Sequence, residues 1–86
     1  MYDIVYHDEV ESDLKKLGHN VLVKVFKKIE QIAINPNIGK DLGNKANLNL
    51  SGYKKVYVEN KKIRIVYKII DEKIEIFIVV SAKEMI

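Results

Sequence analysis

The chain begins with a short alternation, Tyr2 to Tyr6, rich in β-branched residues and long enough for one strand. The spacing then lengthens. Val10, Leu14 and Leu17 recur at helical intervals across residues 9–17, with Asp8 placed to cap the start and Gly18 the end. A second and longer helix is expected from about Asn20 to Ile34. Leu22, Val25, Phe26, Ile29, Ile32 and Ala33 form its apolar stripe, and Lys24, Lys27, Lys28 and Gln31 its wet side. Asn35-Pro36 ends it, because a residue before proline is pushed out of the helical region. Two helices separated by so short a break make an αα-hairpin.

Residues 35–51 carry Asn, Gly and Pro and no regular period, and they read as loop. From Gly52 the period is two. Residues 52–58, 62–70 and 73–81 read as three antiparallel strands, with turns at Asn60 and at Asp71-Glu72. The resulting fold class is α+β, a two-helix hairpin packed on a small antiparallel sheet in the order β-α-α-β-β-β, as one domain over residues 1–86. Phase assigns the faces. Ile63, Ile65, Tyr67 and Ile69 should lie under the helices with Val56 and Val58, and the expected shared core includes Phe26, Ile29, Ile65, Tyr67 and Ile76. Lys62, Arg64, Val66 and Lys68 take the other face, joined by Lys55 and Tyr57.

Composition narrows the chemistry. There is no Cys, so no disulfide and no thiolate nucleophile or ligand, in keeping with a reducing cytoplasm. His7 and His19 lack ligand spacing, and neither a metal nor an organic cofactor is expected. No stretch has the length of a signal peptide's apolar core or of a membrane span. The net charge of +3 is unevenly spread. Residues 1–13 hold five acids, whereas residues 53–68 hold Lys54, Lys55, Lys61, Lys62, Arg64 and Lys68 against Glu59 alone. A basic strand face suits a polyanion.

Arg64 is the one arginine among 15 basic residues. A guanidinium binds phosphate through paired donors, where lysine offers a point charge; an arginine on a half-exposed strand also serves as an ordinary surface ion pair. Lys54-Lys55 and Lys61-Lys62 flank a turn and would form the lip of a groove beside Arg64, either tracking a phosphate backbone or protecting an edge. Tyr57 could stack on a base or simply pack. His7, Glu59 and Glu84 read as surface groups and counter-charges.

Several words of the sequence, in order, resemble the RelE/ParE toxin superfamily. They are Asp13-Leu14-Lys15-Lys16-Leu17, Asn35-Pro36, Leu50-Ser51-Gly52-Tyr53, Ile63-Arg64-Ile65-Val66-Tyr67, and Ile70-Asp71-Glu72-Lys73 with Phe77 beyond. The resemblance covers nearly the whole chain. It implies the toxin of a type II toxin–antitoxin pair, held by an acidic antitoxin and acting in the cytoplasm. For RelE-like members it implies ribosome-dependent, metal-independent mRNA cleavage, in which the RNA's own 2′-hydroxyl attacks the adjacent phosphate. For ParE-like members it implies DNA gyrase as target. By that resemblance Arg64 matches the strand arginine that supports the transition state and Lys55 the first of two basic residues in the strand before it. Lys54, Tyr57, Lys61, Lys62 and Lys83 are the candidate contacts to RNA.

The sequence also departs from the pattern. Tyr57 stands where the second strand cation falls, Glu84 where a later arginine falls, and no residue matches the family's terminal tyrosine. In the YoeB branch the loop glutamate aligns with Asn44, and the terminal His-Tyr pair is missing. Three accounts stay open: a nuclease with a changed residue set, a gyrase inhibitor, and an attenuated form that keeps antitoxin binding.

Overall fold

The computed structural model describes the backbone of residues 1–45, 48–59 and 62–81, and the side chains of residues 1–42, 52–59 and 62–77. Its elements run β1 (Asp3–Tyr6), α1 (Asp8–Lys15), α2 (His19–Ile34), a 3₁₀ turn (Pro36–Ile38), β2 (Lys40–Lys45), β3 (Leu48–Val58), β4 (Ile63–Ile70) and β5 (Lys73–Ser81). They form one five-stranded sheet in the order β1-β5-β4-β3-β2. The two-helix hairpin lies against one face, the fold class read from the sequence.

The strand phase is as expected. Val58, Ile63, Ile65, Tyr67, Ile74 and Ile76 form one buried cluster with Val10 of α1 and Val25, Ile29 and Ile32 of α2. Removing that much apolar surface from water is what holds so short a chain together. Phe26 departs from expectation. It is 44% exposed, because it sits one position round from the Val25–Ile29–Ile32 stripe. There it lines an apolar groove of about 480 Å³ between α2 and β1, with Tyr2, Ile4, Tyr6 and Val23.

The sheet is also more than the three strands read after Gly52. β1 joins it parallel to β5, through pairs from Asp3↔Lys73 to Tyr6↔Ile76. Residues 40–45, inside the segment read as loop, pair antiparallel with β3 and bulge between Asp41 and Gly43. The segment Lys-Asp-Leu-Gly-Asn-Lys has no β-branched residue to announce a strand. It is held by its ladder and by Leu42, which is buried. The helix ends differ as well. His7, not Asp8, takes the first cap position, without a side-chain bond, and Asp8, Glu9 and Glu11 fill the first turn of α1, where carboxylates suit the helix dipole. Gly18 opens α2 instead of closing α1.

One buried polar device fixes the passage from α2 into β2. The Tyr67 hydroxyl donates to the Pro36 carbonyl at 2.7 Å and accepts from the Gly39 N–H at 3.0 Å. Burial pushes the phenol above its ordinary value, against a smaller lowering by the Gly39 bond, so the proton it donates stays in place.

Candidate functional site

The face of the sheet turned away from the helices is built by alternate residues of β3 and β4. Tyr57 lies opposite Arg64, Lys55 opposite Val66, and Tyr53 opposite Lys68. On β5, Val80 lies opposite Arg64 and Ile78 opposite Val66. Residues on one face of such a ladder stand about 5 Å apart directly and about 7–8 Å apart diagonally. Arg64, Tyr57 and Lys55 are therefore one group, with the Lys55 ammonium 5.5 Å from the centre of the Tyr57 ring.

Arg64 is the most telling member. Its Nε is buried and has no hydrogen-bond partner. Among the described residues the ion pairs are Lys24–Glu59, Lys54–Asp41 and His7–Glu75, and none involves Arg64 or Lys55. A buried unpaired N–H costs roughly 1–3 kcal/mol. Arg64 and Lys55 also place two like charges on neighbouring positions of one face, and these repel. An anion bound between Arg64 and Lys55 would offset the repulsion between the two cations.

The other sequence candidates separate. Lys54 lies opposite the buried Tyr67, on the helix side, and its ammonium holds Asp41 at 2.7 Å; it does not stand beside Arg64. Lys62 is exposed at the entry to β4, its N–H bonded to the Glu59 carbonyl in the turn. Glu59 faces α2, where its bond to Lys24, the largest influence, holds the carboxyl below its ordinary value. Lys61, Lys83 and Glu84 lie outside the described residues, and the side chain of Asn44 is likewise not described.

A second group was not foreseen. The His7 ring lies tilted against Phe77 with centroids 4.1 Å apart, and Tyr53 meets Phe77 edge-on at 5.1 Å. The Lys68 ammonium lies 5.0 Å from the Tyr53 centroid, and His7 Nε2 lies 3.3 Å from Glu75. The position of Tyr53 follows from the parity it shares with Lys55 and Tyr57. That of Phe77 follows from its alternation with the buried Ile74 and Ile76, and it is the extra residue where the β4–β5 register shifts between Val66 and Tyr67. His7 arrives only through the parallel β1–β5 pairing, which its sequence neighbours do not reveal. No group of three or more His, Asp or Glu side chains among the described residues is placed to hold a metal ion.

A small mixed sheet backed by a helical hairpin is an architecture shared with known bacterial and archaeal toxins. The isolated RelE toxin of E. coli superposes with a TM-score of 0.77 at 24% identity, covering 95% of this chain and 85% of that one. The toxin–antitoxin complex RelBE2 of Mycobacterium tuberculosis gives 0.76 at 23%, over 93% and 96% of the two chains. The archaeal RelE–RelB complex of Pyrococcus horikoshii gives 0.71 at 14%, over 94% of each. No curated protein matches the sequence. The family model described as the ParE toxin of the type II toxin–antitoxin system parDE matches residues 4–86. The chain belongs to that family, and so to the RelE/ParE superfamily of type II toxins.

Proposed function

We propose that this toxin is a ribosome-dependent endoribonuclease that cuts mRNA. The observation that carries the reading is Arg64, a guanidinium whose buried Nε has no partner, beside Lys55 and Tyr57 on the uncovered sheet face. In RNA cleavage the 2′-hydroxyl gives its proton to water as its oxygen bonds to phosphorus, the bond from phosphorus to the 5′-oxygen breaks, that oxygen takes a proton from water, and negative charge grows on the non-bridging oxygens. Preorganised donors strengthen as that charge develops and lower the barrier. In this reading Arg64 holds a non-bridging oxygen through paired donors, Lys55 adds a second positive charge, and Tyr57 stacks on a flanking base. Lys61, Lys62 and Lys83 contribute further phosphate contacts, and Lys54 acts through its hold on Asp41 at the strand edge.

The partner in this reading is an acidic antitoxin, as the RelB complexes of the relatives suggest. The groove lined by Tyr6, Val23 and Phe26 offers a seat for the apolar side of its segment. Recovery of the toxin alone from its host under gentle low-salt conditions would count against such a partner.

A second reading, inhibition of DNA gyrase, is favoured by one observation, that the matching family model is that of ParE. One pair of assays separates the two. The purified chain is added to ribosomes carrying a defined mRNA, and separately to gyrase with relaxed plasmid. A-site cuts without loss of supercoiling support the nuclease, and the reverse supports gyrase. Inertness in both points to an attenuated toxin that keeps only antitoxin binding.

A further inference from the structure

We infer that the other end of the same sheet face, where His7, Tyr53 and Phe77 meet beside Lys68, is a second binding site for a nucleobase of single-stranded RNA. The inference rests on the RNA reading of Arg64 and extends its footprint.

Three rings from positions far apart in sequence converge on the face that the helices leave uncovered. None of the three belongs to the buried cluster beneath the helices. Phe77 lies on that face by alternation with the buried Ile74 and Ile76, is half-buried, and carries the His7 ring against it. The His7 side chain is 45% exposed, so a base can continue the stack over it. Base-on-ring stacking of this kind is how sheet faces hold single strands without reading sequence.

The charge around the rings fits the same ligand. Glu75, the carboxylate on this patch among the described residues, is engaged by His7. Lys68 is in no ion pair among the described residues and sits against the Tyr53 ring, so its ammonium is available to a phosphate. The patch is continuous with the Arg64 group. Lys68 is four residues from Arg64 along β4, roughly 13 Å at about 3.3 Å per residue. An RNA strand covers that distance in roughly four stacked nucleotides at about 3.4 Å each, and in fewer when unstacked. One strand laid along β4 would thus meet Arg64 and Lys55 at one end and the rings at the other.

The test uses the full chain and a short single-stranded oligoribonucleotide, compared with the same backbone lacking its bases. NMR spectra should show the ring signals of His7, Tyr53 and Phe77 moving with the intact oligonucleotide and not with the abasic one. The Arg64 Nε–H signal should move with both. In a fluorescence anisotropy titration, Phe77→Leu and His7→Ala should each weaken binding by roughly 5- to 100-fold. Phe77→Leu should leave the salt dependence unchanged, because no cation has been removed. Thermal melts show whether each variant is folded, and the His7 substitution, at an exposed position, keeps the test informative should Phe77→Leu unfold. If the Arg64 signal responds while the rings do not, the ring site is refuted and the RNA reading of Arg64 stands. If neither responds at low salt, this inference fails, and the cleavage assay on programmed ribosomes decides the RNA reading of Arg64 separately. Loss of antitoxin binding in these variants with RNA binding intact would identify the rings as a protein-docking surface and overturn the proposal.

Discussion

Tyr67→Phe removes one oxygen and tests the claim that a single hydroxyl fixes the junction between the helical layer and the edge of the sheet. Tyr67 is fully buried, and its hydroxyl serves the Pro36 carbonyl and the Gly39 N–H together. The substitution strands a buried carbonyl, at roughly 1–3 kcal/mol, and loosens a part-buried N–H that water can partly satisfy at about 0.5 kcal/mol. A loss near 2 kcal/mol is expected. A domain of this size has a stability of roughly 4–13 kcal/mol at about 0.05–0.15 per residue, so the variant should fold with a much thinner margin. At roughly 4–8 °C per kcal/mol the melting temperature should fall by about 8–16 °C. The damage should also be local. Lys40 and Asp41 pair with Lys55 and Lys54 directly after the clamp, so amide exchange in β2 should accelerate more than in β4. A melting temperature within about 2 °C of the wild type, or an unchanged β2 exchange pattern, would show that the two hydrogen bonds do not hold the junction.

The remaining expectations divide by face and by pH. Lys55→Ala should reduce RNA cleavage on programmed ribosomes by about ten-fold or more, as loss of one charge from an electrostatic site does. Lys54→Ala, on the opposite face and paired with Asp41, should change that rate far less, and equal losses would contradict the facial assignment. Glu59 has its carboxyl held below the ordinary 4.5 by Lys24. Its contribution to stability is therefore present above that value and lost as pH falls through the depressed one. Glu59→Gln should flatten the acid limb of the stability profile, and an acid limb as steep as that of the wild type would remove Glu59 from it.

Where the sequence carried a clear period, it read through to structure. The Ile63–Ile65–Tyr67 alternation placed Arg64 on the uncovered face, and the α2 stripe placed Val25, Ile29 and Ile32 in the core, because a period of two or of 3.6 leaves little freedom in which side faces inward. Phe26 was misplaced because it lies at the margin of that stripe, where a small rotation decides between core and groove. β2 was invisible because its pairing, not its composition, makes it a strand. The His7–Phe77–Tyr53 group depended on a long-range fact that local patterning does not encode, the parallel β1–β5 pairing that brings His7 to Phe77. Lys54 illustrates the reverse case: composition grouped it with Lys55, and period two separates them.

The central claim is that Arg64 is kept for its phosphate contact and not for the fold. Arg64→Met preserves bulk and apolar packing while removing the buried Nε that has no partner. An unpaired buried donor is a cost to the folded chain, so the variant should melt at or above the temperature of the wild type. On ribosomes carrying a defined mRNA, its A-site cleavage rate should fall by about 100-fold or more. Cleavage by Arg64→Met at the wild-type rate would remove Arg64 from the mechanism, and a clear loss of stability would mark the residue as structural.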